Sequence, residues 1–169
     1  MKIAVKDANV FIDMESMGIL DLWFLLGYET LTSSLIVGEL RKGNHRHSLG
    51  YIASDKIQVI RSTLDELEEL FAELEPKGAS LADVSVVHIA QQHNAMILTG
   101  DQVIRAEGMA RGIECRGNIW ILDQLVSREI LRGAIAANKL EELMDLDGDR
   151  RRFLPKKECM EYIEAWRKK

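Results

Sequence analysis

Four acidic residues stand in short contexts whose residue types could do metal chemistry: Asp7 in IAVKDANVFID, Glu39 in SSLIVGEL, Asp83 in SLADVSVVHIA and Asp101 in MILTGDQVI. Three of the four contexts place the acid where an apolar, strand-like run ends or a helix begins. Carboxylates gathered at one edge of a sheet repel one another and hold their protons more tightly. Such a gathering makes chemical sense chiefly when a divalent cation neutralises it. Singly, each acid has an ordinary explanation. Asp7 and Asp101 suit the N-cap of a helix, and Asp83 completes a capping box with Ser80. Glu39 sits on the edge of an apolar helix face, where a solvated glutamate is common. The signal lies in the set.

The elements that must position these acids alternate along the chain. Residues 3–5 read as a strand, followed at once by Asp7 and Asn9, which favour turns and helix starts. Helical spacing of apolar residues over 10–26 predicts two short helices with a break near 15–18. A strand over 28–32 leads to a helix capped by Ser33 or Ser34 and carrying Ile36, Val37, Glu39 and Leu40. A polar, basic, histidine-bearing loop at 43–48 precedes a short helix near 49–53 and a strand at 57–60. An acidic helix over 64–74 stops at Pro76 and Gly78, and a helix capped by Ser80 runs to about Asn94. The remainder reads as a strand at 96–98, a helix over 101–111, a strand at 113–115, and helices over 119–144 broken near Ser127. Such alternation predicts an α/β fold whose central parallel sheet is covered on both faces. Sites in such sheets lie beyond the carboxyl ends of the strands, where Asp7 and Asp101 fall. The order of the strands is not legible in the sequence. Past about Gly148 the character changes: Arg150, Arg151 and Arg152 precede Phe153, Pro155 and an amphipathic helix with Cys159, Tyr162, Ile163 and Trp166. The division expected is a core domain over 1–148 and a tail helix over 149–169, packed on the domain or on a partner.

At 169 residues, 47% apolar and 29% charged, the chain suits one filled core. The formal net charge of -5 runs against the basic surplus of most phosphate binders, but setting aside the four acids leaves 23 acidic against 22 basic residues. Overall charge therefore leaves a polyanionic partner open. Cys115 and Cys159 lack Cys-x-x-Cys spacing, which argues against a zinc ribbon and fits inert thiols in a reducing compartment. Lys2 and Lys6 flank too short an apolar run for a secretory signal, and the densest apolar stretch, 18–27, is interrupted by Asp21 and too short to span a bilayer. The expectation is a cytoplasmic protein. Asp145-Leu-Asp-Gly-Asp149 superficially matches a calcium loop, but Arg150 stands where Gly is required and Lys156 where Glu must close it.

Taken with their neighbours and in order, Asp-Ala-Asn-Val-Phe at 7–11, Val-Gly-Glu-Leu at 37–40, Leu-Ala-Asp at 81–83 and Leu-Thr-Gly-Asp at 98–101 resemble the PIN-domain nucleases. Within them the chain is most similar to the VapC-type toxins of bacterial and archaeal toxin–antitoxin pairs. The resemblance covers roughly 1–144. It implies a three-layer α/β/α fold, Mg2+ or Mn2+ as cofactor, and cleavage of RNA leaving 5′-phosphate and 3′-hydroxyl ends. It also implies a homodimer and a neutralising antitoxin encoded alongside. Many relatives carry a further acid or polar residue shortly after the fourth, whereas here Gln102, Val103, Ile104 and Arg105 follow Asp101. One tight metal site is expected, with a second filled only when RNA is bound.

Phosphodiester hydrolysis needs an activated water, charge stabilisation at phosphorus and help for the leaving oxygen, all of which Mg2+ can supply. On this reading Asp7 and Asp101 are direct ligands, Asp83 a ligand or water-mediated partner, and Glu39 completes the shell or orients water. Asn9 and Thr99 support the ligands or the attacking water. Arg41, Lys42 and Arg46, with His45 and His47, cluster after the Glu39 helix and are the candidates to follow an RNA backbone. The two histidines lack Cys partners for zinc. His88 shares a face with Val84, Val87 and Ala90 and reads as a satisfied core histidine, and His93 as a surface one. Two competing functions remain. A phosphatase of the haloacid dehalogenase kind would use Asp7 as nucleophile and needs a second Asp two residues on, where this chain has Asn9. A PIN-like binding module would act through partners with little catalysis, and Leu22, Trp23, Phe24, Leu25 and Leu26, with little polar face, suit either an interface or the core.

Overall fold

The structure, a computed structural model, describes residues 3–146 and 154–168. The segment 147–153 lies outside them. It includes Asp147, Gly148 and Asp149 of the calcium-like sequence and the run from Arg150 to Arg152. Five strands, β1 (Ile3–Lys6), β2 (Glu29–Ser33), β3 (Gln58–Ile60), β4 (Met96–Leu98) and β5 (Cys115–Arg116), form one parallel sheet in the order β3-β2-β1-β4-β5. The connections are α1 (Ala8–Ser16) and α2 (Leu20–Trp23), α3 (Ser34–Lys42) and α4 (Arg46–Ala53), α5 (Leu64–Leu74) and α6 (Leu81–His93), then α7 (Gln102–Ala110). After β5 come α8 (Asn118–Ser127), α9 (Gly133–Asp145) and α10 (Lys156–Arg167).

Right-handed crossovers from this strand order put α1 and α2 on one face of the sheet and α5, α6 and α7 on the other. The packing agrees: α6 rests on β1, β2 and β4 and against α5 and α7, while α1 and α2 meet α8, which meets α9. This is the expected three-layer α/β/α arrangement. Ala4, Val5, Leu31, Ile97 and Leu98 are buried in the central strands, as a parallel sheet covered on both faces requires. Trp23 and Leu26 enter the core while Leu25 stays 64% exposed, so the apolar segment after α1 faces inward on one side only. None of the described helices is long and apolar enough to cross a membrane.

Local chemistry sets most boundaries. The Ser33 hydroxyl accepts from the Leu35 amide and starts α3. Thr63 with Glu66 and Ser80 with Asp83 form reciprocal capping boxes at α5 and α6. Two expected boundaries moved, the first for a tertiary reason and the second for a local one. Helix α4 begins at Arg46, ahead of the expected 49, because the Glu15 carboxylate of α1 accepts from the His47 amide (3.4 Å) and the Ser48 hydroxyl (2.8 Å). Another helix thus supplies a cap that the 43–48 segment lacks. Strand β5 begins at Cys115, later than 113, because the Ile113 amide turns back to the Gly108 carbonyl (2.9 Å) to close the turn after α7.

Helix α10 packs on α9 and α8, burying Cys159, Ile163 and Trp166. The Trp166 indole donates to Asp123 Oδ1 at 3.1 Å. The close approach depends on Gly133 at the start of α9, where a Cβ would stand 2.1 Å from the Trp166 carbonyl oxygen. A backbone oxygen on a helix cannot swing aside, so Gly133→Ala is expected to destabilise the protein by about 1–3 kcal/mol. Urea unfolding checks this, and an unchanged midpoint would show that α10 does not dock as described.

Candidate functional site

The strand order brings β1 next to β4, and the direction of chain progression reverses between them. That is the crevice where open parallel sheets bind ligands. Asp7 follows β1 directly, and its amide donates to the Leu98 carbonyl at 3.1 Å. Thr99 follows β4, and its buried hydroxyl donates to Asp7 Oδ2 at 2.9 Å while accepting from the Asp101 amide at 3.0 Å. One threonine thus ties together the two acids expected to hold a metal directly. Asp7 occupies the N-cap position of α1, but its side chain makes no capping hydrogen bond there.

Asp101 does cap α7: its Oδ1 accepts from the Val103 (2.7 Å) and Ile104 (3.1 Å) amides, leaving Oδ2 outside these bonds. Helix α6 leads into β4 and runs antiparallel to it, so its first turn lies at the carboxyl edge and carries Asp83 there. Asp83 Oδ2 accepts from the Ser80 amide (2.8 Å) and hydroxyl (2.7 Å), and Oδ1 stays clear of the capping box. Helix α3 packs against both α1 and α6, which brings Glu39 within the influence of Asp83.

The charges respond to one another. Burial, then the Asp83 charge, pushes the Asp7 carboxyl up from 3.8 to about 7; the Thr99 hydroxyl and Ala8 amide pull it down, and Asp101 adds a smaller upward push. Glu39, exposed on α3, has its proton affinity raised by desolvation of its carboxyl and then by Asp83, with Lys42 opposing. The four acids therefore form one electrostatic chain, Glu39 to Asp83 to Asp7 to Asp101. They do not close on a single point: among the described residues no group of three or more His, Cys, Asp or Glu side chains is drawn together tightly enough to hold a metal ion. The donor set nevertheless fits a hard divalent cation. All its donors are carboxylate oxygens, two of them clear of the capping bonds, and Mg2+ keeps several waters while taking only one or two carboxylates directly.

Asn9 is half-buried in the first turn of α1, with no side-chain hydrogen bond among the described residues. Arg41 and Lys42 are exposed in the last turn of α3, and exposed Arg46 opens α4, donating to Asn44 Oδ1 at 3.4 Å. Of these three, Lys42 acts on one of the acids. His88 is a correction, for its Nε2 is buried without a hydrogen-bond partner. Glu66, whose charge acts on the ring, bonds Thr63 through Oε2, and among the described residues no hydrogen bond joins it to His88.

Two features escaped the sequence reading. Lys6, adjacent to Asp7, is fully buried: its Nζ lies 4.2 Å from the Trp23 ring centre, 5.2 Å from that of Phe11 and 3.4 Å from Met14 Sδ. Burial holds its pKa well below the usual lysine range. Its signal was its place in a strand that a parallel sheet buries on both sides. The buried pair Asn118 and Asp13, with Nδ2 donating to Oδ2 at 2.6 Å, ties the start of α8 to α1.

Asp7 binds its proton more tightly folded than unfolded, so its ionisation costs stability as pH rises from about 4 to 7, and the full cost stands above that range. In metal-free buffer Asp7→Asn is expected to stabilise the protein at pH 8 by at most on the order of 4 kcal/mol. The gain should vanish below pH ~4. Urea unfolding at the two pH values checks this, and a variant less stable than wild type at pH 8 would contradict it.

No curated protein matches the chain. A family model, DUF3368, described as a PIN domain, matches residues 3–167, a span that includes α10 as well as all four acids. The chain belongs to the PIN-domain family, and its fold is of the nuclease type.

Proposed function

We propose that this protein is a divalent-metal-dependent endoribonuclease acting through Asp7, Glu39, Asp83 and Asp101. The observation that carries the reading is the Asp7 carboxyl. It is buried at the switch point of a nuclease-type fold, fixed by Thr99, and driven toward protonation by its burial and by Asp83 and Asp101. A cation at that point would relieve all three acids at once.

Asp7 and Asp101 are the residues that would hold Mg2+ or Mn2+, with Asp83 reaching it directly or through water. When bound, the ion supplies Lewis acidity that activates water and stabilises charge at phosphorus and on the leaving oxygen. Thr99 keeps the Asp7 carboxylate from rotating, and the caps of α6 and α7 hold Asp83 and Asp101 in place. Glu39, exposed on α3 and with raised proton affinity, is suited to orient the attacking water and accept its proton. Asn9 lacks the carboxyl that a phosphatase with Asp7 as nucleophile would need two residues on. RNA as substrate, and a toxin role restrained by an antitoxin encoded alongside, rest on the VapC-like wording of the four motifs.

Three outcomes follow. Asp7→Asn and Asp101→Asn should each lower RNA cleavage at least about a hundredfold while leaving a folded protein. Mg2+ or Mn2+ should raise the melting temperature of wild type, by mass action on the folded state, and do so far less for Asp7→Asn. Expression of the chain alone should arrest growth, and the Asp7→Asn chain should not. Cleavage that survives both substitutions would overturn the metal-site reading, and a folded protein that cleaves no RNA in either metal would favour the binding module.

A further inference from the structure

A small crevice lies at the carboxyl end of β5, lined by Arg105 of α7, Arg116 and Gly117, Trp120 of α8, and Glu158 and Tyr162 of α10. It adjoins the acids. The Thr99 carbonyl oxygen lies 3.3 Å from where a Gly117 Cβ would stand, and Arg105 Nη1 lies 3.8 Å from the same point. The backbone at its floor therefore touches the threonine that bridges Asp7 and Asp101. In the strand order, β5 is two positions from β1, roughly 10 Å at ordinary strand spacing. A chain lying across the acids would enter the crevice with its next nucleotides.

The chemistry of the walls suits that chain. The Arg116 guanidinium is 43% exposed, held by Glu114 at 2.9 Å, and lies 5.9 Å from the Trp120 ring centre. Trp120 and Tyr162 are both half-buried, so each ring is positioned by the fold yet reachable. Arg105 and Arg116 line the crevice with Glu158, and Glu114 pairs with Arg116 while leaving its guanidinium partly exposed, so the recess offers guanidinium donors beside an acidic site. A cation for the phosphate and an aromatic face for the base are the paired features by which proteins bind single strands. A narrow crevice admits one unstacked base, while a paired helix presents its bases only in stacked form.

We infer that this crevice is a subsite for single-stranded RNA, taking a nucleotide that flanks the cleaved bond, with its phosphate on Arg116 and its base against Tyr162. The position of the cleaved bond rests on the ribonuclease reading above; the binding of a single strand does not. Helix α10 thereby contributes to the substrate surface as well as to the core.

The test is fluorescence anisotropy with a short labelled single-stranded RNA, with Ca2+ in place of Mg2+, alongside steady-state cleavage in Mg2+. Arg116→Ala and Tyr162→Leu should each weaken binding about five- to tenfold and raise KM with kcat unchanged. Arg116→Ala should also reduce the salt dependence of binding by about one ion. Tyr162→Phe, which keeps the ring, should bind as wild type does, and Arg61→Ala, at an exposed position before α5, should change nothing. Melting temperatures equal to that of wild type exclude a folding defect. Wild-type affinity in both Arg116→Ala and Tyr162→Leu overturns the subsite, even if RNA is cleaved. Binding that depends on Arg116 and Tyr162 without any cleavage supports the subsite and sinks the ribonuclease reading. A wild-type protein that binds no single strand overturns both.

Discussion

The pairing of β1 with β4 is the constraint on which the rest depends. It lets the Thr99 hydroxyl reach Asp7 across 92 positions of chain, and without it Asp7 and Asp101 would sit at the ends of unrelated strands. The same pairing sets β1 in the middle of the sheet and seats α6 over β1, β2 and β4, so that its first turn delivers Asp83 to the same edge. Glu39 arrives further along a helix, since α3 starts at the carboxyl end of β2 and its packing on α6 brings Glu39 under the influence of Asp83. Three of the acids are thus placed at strand ends or in a first helical turn, and the fourth by a crossover helix together with a contact between helices.

Placing charge at the centre of a parallel sheet has a local cost. Burial on both faces, which lets Ala4 and Val5 stabilise the core, leaves Lys6 and Asp7 in an environment that disfavours both their charged forms. The ring faces of Trp23 and Phe11 offset part of the cost at Lys6. At Asp7 the Thr99 hydroxyl and the Ala8 amide give partial relief, which burial and the Asp83 charge outweigh. Destabilised, mutually repelling groups of this kind concentrate where a protein binds something, because the ligand supplies the missing interaction.

The alternation of elements, the two capping boxes, the length of α5 and the boundaries of β4 were all legible in the sequence, since each is decided by neighbours a few residues away. The four acids were legible as a set by their order and wording. What escaped depended on tertiary contact. The start of α4 is fixed by Glu15, far back in the chain. Lys6 looked like a flank of a short strand because nothing local says that β1 lies between two other strands. The basic run at 41–46 was legible because its charge is dense in sequence, and Lys42 does act on Glu39. The structure sets Arg105, Arg116, Trp120 and Tyr162 together from four elements that no sequence window contains.

Capping residue and functional acid, the two readings that left each carboxylate ambiguous when read alone, are compatible in this geometry. A carboxylate has two oxygens, and a cap uses one. Asp101 gives Oδ1 to the amides of α7 and Asp83 gives Oδ2 to Ser80, so in each the bond that fixes the side chain leaves the other oxygen clear of the capping bonds. The helix start then does two things for the site: it removes the rotational freedom of the carboxylate, and its exposed amides lend partial positive charge that eases the crowding of negative groups. Asp7 lacks such a cap and takes its fixed position from Thr99 instead. It is also the acid whose proton affinity rises furthest, to about 7. On the proposed function, the capping that made Asp83 and Asp101 look ordinary would hold them ready for a cation, and Asp7, without that support, would gain most from one.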